Sequence, residues 1–448
     1  MESSQTESPR TKRKLTIIKK ISMCKLKHDY FILFFLCLWI SLLLVSCNQN
    51  KEEFGTAQSY DMASSCALDL SSTTQTDLLI IRINWNDYQF QSNAQTWHNK
   101  IFGSCSGQLN EFWHENSLGK SAFRAVLETD ATDDGSANDG IITVSLGYNH
   151  PNPGNSGTFH SYLKEAVNLA DSYIDFSYYD ADGDNSLSTT ELQVMFLVAG
   201  YESAYASGAP GVWAHKWNVC NYAESVTIPT TDGISDLLCS NGYSRFGELQ
   251  STHDATIGII AHELGHALPG LPDLYSTDSS NDGIGRHGLM SGGSWGYKTG
   301  EYSGATPVHM VAYSKITAGY VSGTAKTSSE SSISLYSNLT SNFNVIKLSV
   351  SSTEYYLIEN REISATGYFT TGGILITHIL SSQSNQNTTS SKFIDVEEAS
   401  GTDLDTYGGN AGDSDDYWTS GNSSFIENSK TVSNYSAAGS TMTFNLSL

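Results

Sequence analysis

His262-Glu263-Leu264-Gly265-His266 sets two imidazoles four residues apart with a carboxylate beside the first. If the segment is helical, residues i and i+4 share a face, so both rings can reach one zinc ion. Ile257, Ile259 and Ile260 precede it and suit a buried helix. The competing reading is a pair of structural histidines on such a helix. Glu263 stands where a carboxylate can take a proton from water and return it to a leaving amine. Catalytic zinc needs a third protein ligand. Pro269, Gly270 and Pro272 must end the helix and turn the chain, and Asp273 is the first carboxylate after them. Asp273 is therefore the expected third ligand, with Asp278, Asp282 and His287 as substitutes.

A second constellation is acidic. Asp180, Asp182, Asp184, Ser186, Ser188 and Glu191 occupy positions 1, 3, 5, 7, 9 and 12 of an EF-hand-like calcium loop. Asn185 replaces the usual glycine and tolerates the left-handed backbone required there. Leu187 supplies an apolar anchor. The residues after Glu191 read as a strand, so the loop would be grafted into another fold with calcium as a structural ion. The alternative is a solvated acidic turn.

The elements that must position these groups follow from apolar periodicity. Leu78–Ile83 reads as a strand. Thr158–Asp171 reads as a helix with Phe159, Tyr162, Leu163, Ala166, Val167 and Ala170 on one face. An apolar strand runs through Val194 and Val198, and Ser251–Ala267 reads as one long helix carrying the histidines. Past about residue 325 the chain turns to Ser, Thr, Asn, Gly and Tyr in short alternating runs. Ile333–Tyr336, Val345–Leu348, Tyr355–Ile358 and Gly373–Thr377 look like strands of a β-sandwich. The fold class expected is α+β, a protease domain over 73–325 followed by a β-sandwich-like domain over 326–448. His215 and Trp217 are candidates for the border of a substrate cleft, and Glu359 with Arg361 for a structural pair at the seam.

The start of the chain speaks to destination. Eight basic residues between Arg10 and Lys27 precede an uncharged apolar run from Tyr30 to Ser46, shorter than a membrane-spanning helix. Leu44-Val45-Ser46-Cys47 resembles the lipobox of bacterial lipoproteins, which makes residues 1–46 a signal peptide, Cys47 the lipidation site and 47–72 a polar tether. An ordinary N-terminal anchor is the alternative. The expected location is the cell envelope, at the outer membrane or cell surface, with Cys47 holding the protein to the membrane. The whole chain carries 24 Lys and Arg against 47 Asp and Glu; the first 46 residues take 8 and 3 of these, leaving a net charge of −28. A surface this acidic excludes phosphate-based nucleic-acid binding. Cys66, Cys105, Cys220 and Cys239 lack metal or redox spacing and read as disulfides. Cys66–Cys105 with Cys220–Cys239 is the most local pairing, and the two other pairings stay open. A monomer is expected.

Several segments together resemble the immune inhibitor A-like family of secreted zinc metallopeptidases. They are Leu109–Phe123, Asp175–Gly200, Val212–Trp217, the histidine helix with Leu271–Tyr275, Thr306–Tyr320 and Tyr356–Arg361. Gly288–Trp295 also looks like the methionine turn of metzincins, with Met290 beneath the metal. The resemblance implies a metzincin-like zinc peptidase, with His262 and His266 as ligands, Glu263 as base, and protein or peptide substrates cut at internal bonds. One departure stands out. The family pattern places glycine at 269 and the aspartate six residues past the second histidine, whereas this chain has Pro269 and Asp273 seven residues on. The rival to an active peptidase is a catalytically inactive surface lipoprotein that serves as an adhesin or binding scaffold.

Overall fold

The computed structural model describes residues 66–448 apart from 134, 154–158, 206–207, 221–224, 364–367, 389–390, 402 and 409. The signal segment, the lipidation site expected at Cys47 and most of the tether lie outside the described residues. Cys66–Leu448 forms one compact unit, and among the described residues no helix is long and apolar enough to cross a membrane.

An eight-stranded mixed sheet organises the first part. Its strands are β1 (Thr74–Asn84), β2 (Ser121–Ala125), β3 (Ile141–Ser145), β4 (Gln193–Glu202), β5 (Gly211–Val212), β6 (His215–Trp217), β7 (Tyr243–Gln250) and β8 (His253–Asp254). The main path runs β2-β1-β4-β7-β6, and β6 and β8 lie antiparallel to β7 while the other pairs are parallel. Parallel strands covered on both faces need apolar residues at every position, and Leu78–Ile83 meets that need. Leu78 and Ile80 pack into one core with Met195, Leu197 and Phe246, while Leu79, Ile81 and Ile83 enter the other with Val194, Phe196 and Val198.

Helices α1 (Ala94–Phe102), α2 (Leu109–Asn116) and α4 (Ile257–Ala267) fill the first core, and α3 (His160–Ala170) fills the second. On α3, Leu163, Ala166, Val167 and Ala170 are buried, with Phe159 buried just ahead of them, matching the predicted face. A short helix, α5 (Ala312–Thr317), follows the site region.

One expected element is shorter than its pattern. Ser251–Thr256 is not helical: Ser251 has φ of 62°, and His253–Asp254 pair with Leu249–Gln250 in a tight antiparallel turn. Gln250 Oε1 accepts from the backbone amide and hydroxyl of Thr256, at 3.0 and 2.9 Å, and so fixes where the helix begins. Tertiary pairing overrides the local pattern here.

Beyond residue 322 the chain builds two further sheets. One contains β9 (Gly323–Ala325), β11 (Val345–Ser349), β12 (Glu354–Arg361), β13 (Gly373–Leu380) and β14 (Ile394–Val396); the other contains β10 (Glu330–Tyr336), β15 (Phe425–Glu427), β16 (Lys430–Ser433) and β17 (Thr441–Ser447). Alternation divides the side chains of the first between two cores. Ile346, Leu348, Tyr356, Ile358, Ile374 and Ile376 meet Leu335, Val432, Met442 and Phe444 of the second sheet. Val345, Leu357, Leu375, Ile379 and Ile394 join the core beneath α4. The C-terminal strands thus help to seat the histidine helix.

Arg361 and Glu359 do form a buried pair, each about 1% exposed. Arg361 donates to the carbonyls of Met310, His309 and His287 at 2.7, 2.9 and 3.1 Å, and Glu359 accepts from the Ala312 amide at 2.7 Å. Two charges this deep are tolerable only because each satisfies the other and the backbone around it. They lock β12 to the chain between the site and α5.

Candidate metal centre and active-site cleft

Helix α4 is nearly all buried, and its end explains how a carboxylate returns to the histidines. The Leu268 amide closes the last turn on Leu264 O. Gly270 then adopts φ of 68°, which a side-chain-bearing residue would resist, and the Leu271 amide reaches back to Gly265 O at 3.0 Å. Pro269 and Gly270 lie in this turn, which brings the chain back toward the helix. Gly265 has a separate reason to lack a side chain, because a Cβ there would lie 2.6 Å from Met290 Sδ. Met290 packs directly under the helix between the two histidines, and its carbonyl accepts from the Leu274 amide at 2.8 Å.

His262, His266 and Asp273 converge. Asp273 Oδ1 lies 3.1 Å from Nε2 of each histidine, and the two Nε2 atoms are 3.2 Å apart. Each ring is oriented from behind, with His262 Nδ1 2.9 Å from Leu289 O and His266 Nδ1 2.6 Å from Leu271 O. A carbonyl can only accept, so Nδ1 carries the proton and each Nε2 turns a lone pair inward, as in histidines whose far nitrogen is held by a backbone carbonyl while the near one binds zinc. Two inward lone pairs and a carboxylate oxygen repel one another unless a cation lies between them. Tetrahedral zinc with bonds of about 2.0–2.1 Å would place its ligands roughly 3.3 Å apart, close to the observed spacing. The residues present therefore fit zinc.

Glu263 is 7% exposed and lines both branches of the cleft. Burial pushes its carboxyl up, the two imidazoles pull it down, and the backbone amide of Lys216 on β6 donates to it. Tyr275 stands opposite with its ring 6.2 Å from that of His262. Burial and the carboxylates of Asp273 and Glu263 raise its phenol, so it remains a proton donor at neutral pH. One branch of the cleft, about 760 Å³, passes Trp213, Ile259, Arg286, Trp295 and Tyr368; the other, about 500 Å³, passes His215, Lys216, Trp217 and Asn218. His215 and Trp217 thus border the cleft. His215 is held neutral, its pKa pushed down to about 3 by burial and by Arg245.

The alternatives to Asp273 are engaged by other groups. His287 is fully buried between Asp416 Oδ2 at 2.9 Å and the Tyr417 hydroxyl at 3.0 Å. Asp278 bonds Ser276, and Asp282 accepts from the Gly408 amide.

Two contributors carried no role assigned from the sequence. Tyr275 closes the family-like segment Leu271–Tyr275, two places past Asp273. Glu202, 1% exposed at the end of β4, accepts from the amides of Ala204, Ala214 and Gly247 at 2.9, 3.0 and 2.9 Å. Burial pushes its carboxyl up to about 7 despite those bonds. It fixes the Trp213–Ala214 wall of the cleft.

In the acidic loop Asp180, Asp182 and Asp184 come within 4.8 Å of one another. Asn185 takes φ of 61°, the conformation expected at that position, and Leu187 is buried. Ser186 Oγ pairs with Ser240, Ser188 Oγ with Thr190, and the Glu191 carboxylate accepts from the Ala181 and Ser188 amides. After Glu191 the chain enters β4, not a helix. Disulfides join Cys66 to Cys105 and Cys220 to Cys239.

Residues 158–321 match the family model described as immune inhibitor A peptidase M6, catalytic domain. The resemblance carried by the motifs is shown over this segment, which runs from α3 to α5 and is that of a metallopeptidase family. Comparison with curated proteins finds no match. Among solved structures, the chain is similar to catalytic inactive OgpA from Akkermansia muciniphila in complex with an O-glycopeptide (glycodrosocin) substrate. That likeness has 15% identity over 66% of this chain and 74% of that chain, with a TM-score of 0.27.

Proposed function

We propose that this chain, with its peptidase M6 catalytic segment, is an extracytoplasmic zinc-dependent endopeptidase with a metzincin-like catalytic domain and a C-terminal β-sandwich. The observation that carries the reading is the convergence of His262 Nε2, His266 Nε2 and Asp273 Oδ1 with Glu263 beside them in an open cleft. These three would hold zinc, which as a Lewis acid would activate water and polarise the scissile carbonyl. Glu263 takes a proton from the attacking water on its carboxylate and delivers it to the leaving amine nitrogen. The Tyr275 hydroxyl donates toward the oxygen on which charge develops. Strand β6 is an edge strand, paired to β7 on one side, and an extended substrate can add to its other side along the cleft.

The expected measurement is cleavage of casein or gelatin that a chelator abolishes and stoichiometric zinc restores. Cleavage indifferent to chelation would overturn the metal mechanism. Cys47 as a lipid anchor to the cell envelope belongs to the same proposal, supported by the lipobox-like segment.

Calcium at Asp180, Asp182 and Asp184 is a second part of it. Three carboxylates so close repel one another, and an ion bound only by the native loop raises stability by mass action, by about 2.7 kcal/mol at a hundredfold excess over Kd. Calcium is therefore expected to raise the Tm of the wild type but not that of Asp184→Ala/Glu191→Ala. A wild-type Tm unmoved by calcium would make the loop an ordinary acidic turn.

A further inference from the structure

The larger branch of the cleft contains a cation that the proposed chemistry leaves unused. Arg286 enters from the short 3-10 turn Gly285–His287 and lines the same cavity as His262 and Glu263. Among the described residues its guanidinium has no ion-pair or hydrogen-bond partner, and it lies over the ring of Tyr368, 4.4 Å from the centroid. That ring is itself fixed, since the Tyr368 hydroxyl donates to Trp295 O at 3.0 Å. The arginine stem runs over Gly292, where a Cβ would stand 3.7 Å from Arg286 Cγ.

Stacking engages the flat face of a guanidinium. Its N–H donors lie in the plane, at the rim, in the fork that matches a carboxylate. The side chain is thus held in place while its hydrogen-bonding edge stays uncommitted. In a chain of net charge −23 such a cation stands out. Asp282 lines the same cavity, but one of its oxygens accepts from the Gly408 amide and the other is buried, with no partner among the described residues.

We propose that Arg286 is a specificity-determining residue that selects substrates with a carboxylate close to the scissile bond, carried by an Asp or Glu side chain. The inference rests on the peptidase reading. An acidic side chain in this branch would meet the guanidinium edge-on, and the charge-assisted pair would favour it over its amide counterpart by roughly ten- to hundredfold.

The test uses the full, zinc-loaded chain and internally quenched peptides that differ only in Glu, Gln or Lys at each position flanking the cleavage site. Each peptide is made with a free and with an amidated C-terminus. Binding of the same peptides to Glu263→Gln is followed by fluorescence anisotropy. Glu is expected to exceed Gln at one position with either terminus. Arg286→Lys should keep the order, Arg286→Gln should flatten it, and Arg286→Glu should invert it toward Lys. Equal handling of Glu and Gln, an order unchanged in Arg286→Glu, or dependence on the free C-terminus would overturn the proposal. Preferential binding of the Glu peptide without any cleavage would uphold Arg286 and sink the peptidase reading. Neither binding nor cleavage would sink both.

Discussion

Replacement of Glu263 by Gln is expected to lower kcat/KM by roughly 10²- to 10⁴-fold, the usual cost of losing a general acid–base group. Zinc content and Tm should be unchanged. Gln keeps the volume of Glu and still offers an oxygen to the Lys216 amide that donates to this side chain, so a site that is only 7% exposed repacks without a cavity. What it loses is the capacity to accept a proton from water and give it to nitrogen. Metal content by atomic emission, a melting curve and a fluorogenic peptide assay on one preparation separate the chemical loss from a structural one. Full turnover in the variant would leave Glu263 without its role and return the site to a structural cluster.

How much of this was readable beforehand depends on the range of the interaction involved. The histidine helix was legible because i and i+4 positions are a local property, and the fold shows Nε2 atoms 3.2 Å apart. The turn after it was legible through Pro269, Gly270 and Pro272, whose backbone restrictions act within a few residues. The start of that helix was not, since Gln250 and the pairing of β7 with β8 decide it. The role of Glu202 depends on amides of residues 204, 214 and 247, which no spacing rule connects. Arg286 carries no local signal for the same reason: its stacking partner is Tyr368, 82 positions away. The alternation in β12 was visible as a strand, but not that Tyr356 and Ile358 would face one core while Leu357 faced the other.

The strongest remaining prediction concerns Asp273, seven residues past His266 where the family pattern places the aspartate six residues on. Alanine at this position should weaken zinc binding by more than the 10- to 100-fold that losing an outer-shell partner costs, because a directly coordinating oxygen disappears and the ion is left with two imidazoles. His287→Ala provides the contrast. It should leave zinc affinity near that of the wild type and lower Tm, since His287 is buried against Asp416 and Tyr417 and its loss leaves both without that partner. Competition with a chromophoric chelator measures the first effect and thermal melting of the apo-proteins the second. The two variants must part in opposite directions on these two axes. If Asp273→Ala holds zinc as tightly as the wild type while His287→Ala does not, the extra residue at the helix end has displaced the aspartate from the metal, and the turn at Gly270 does not do what its geometry implies.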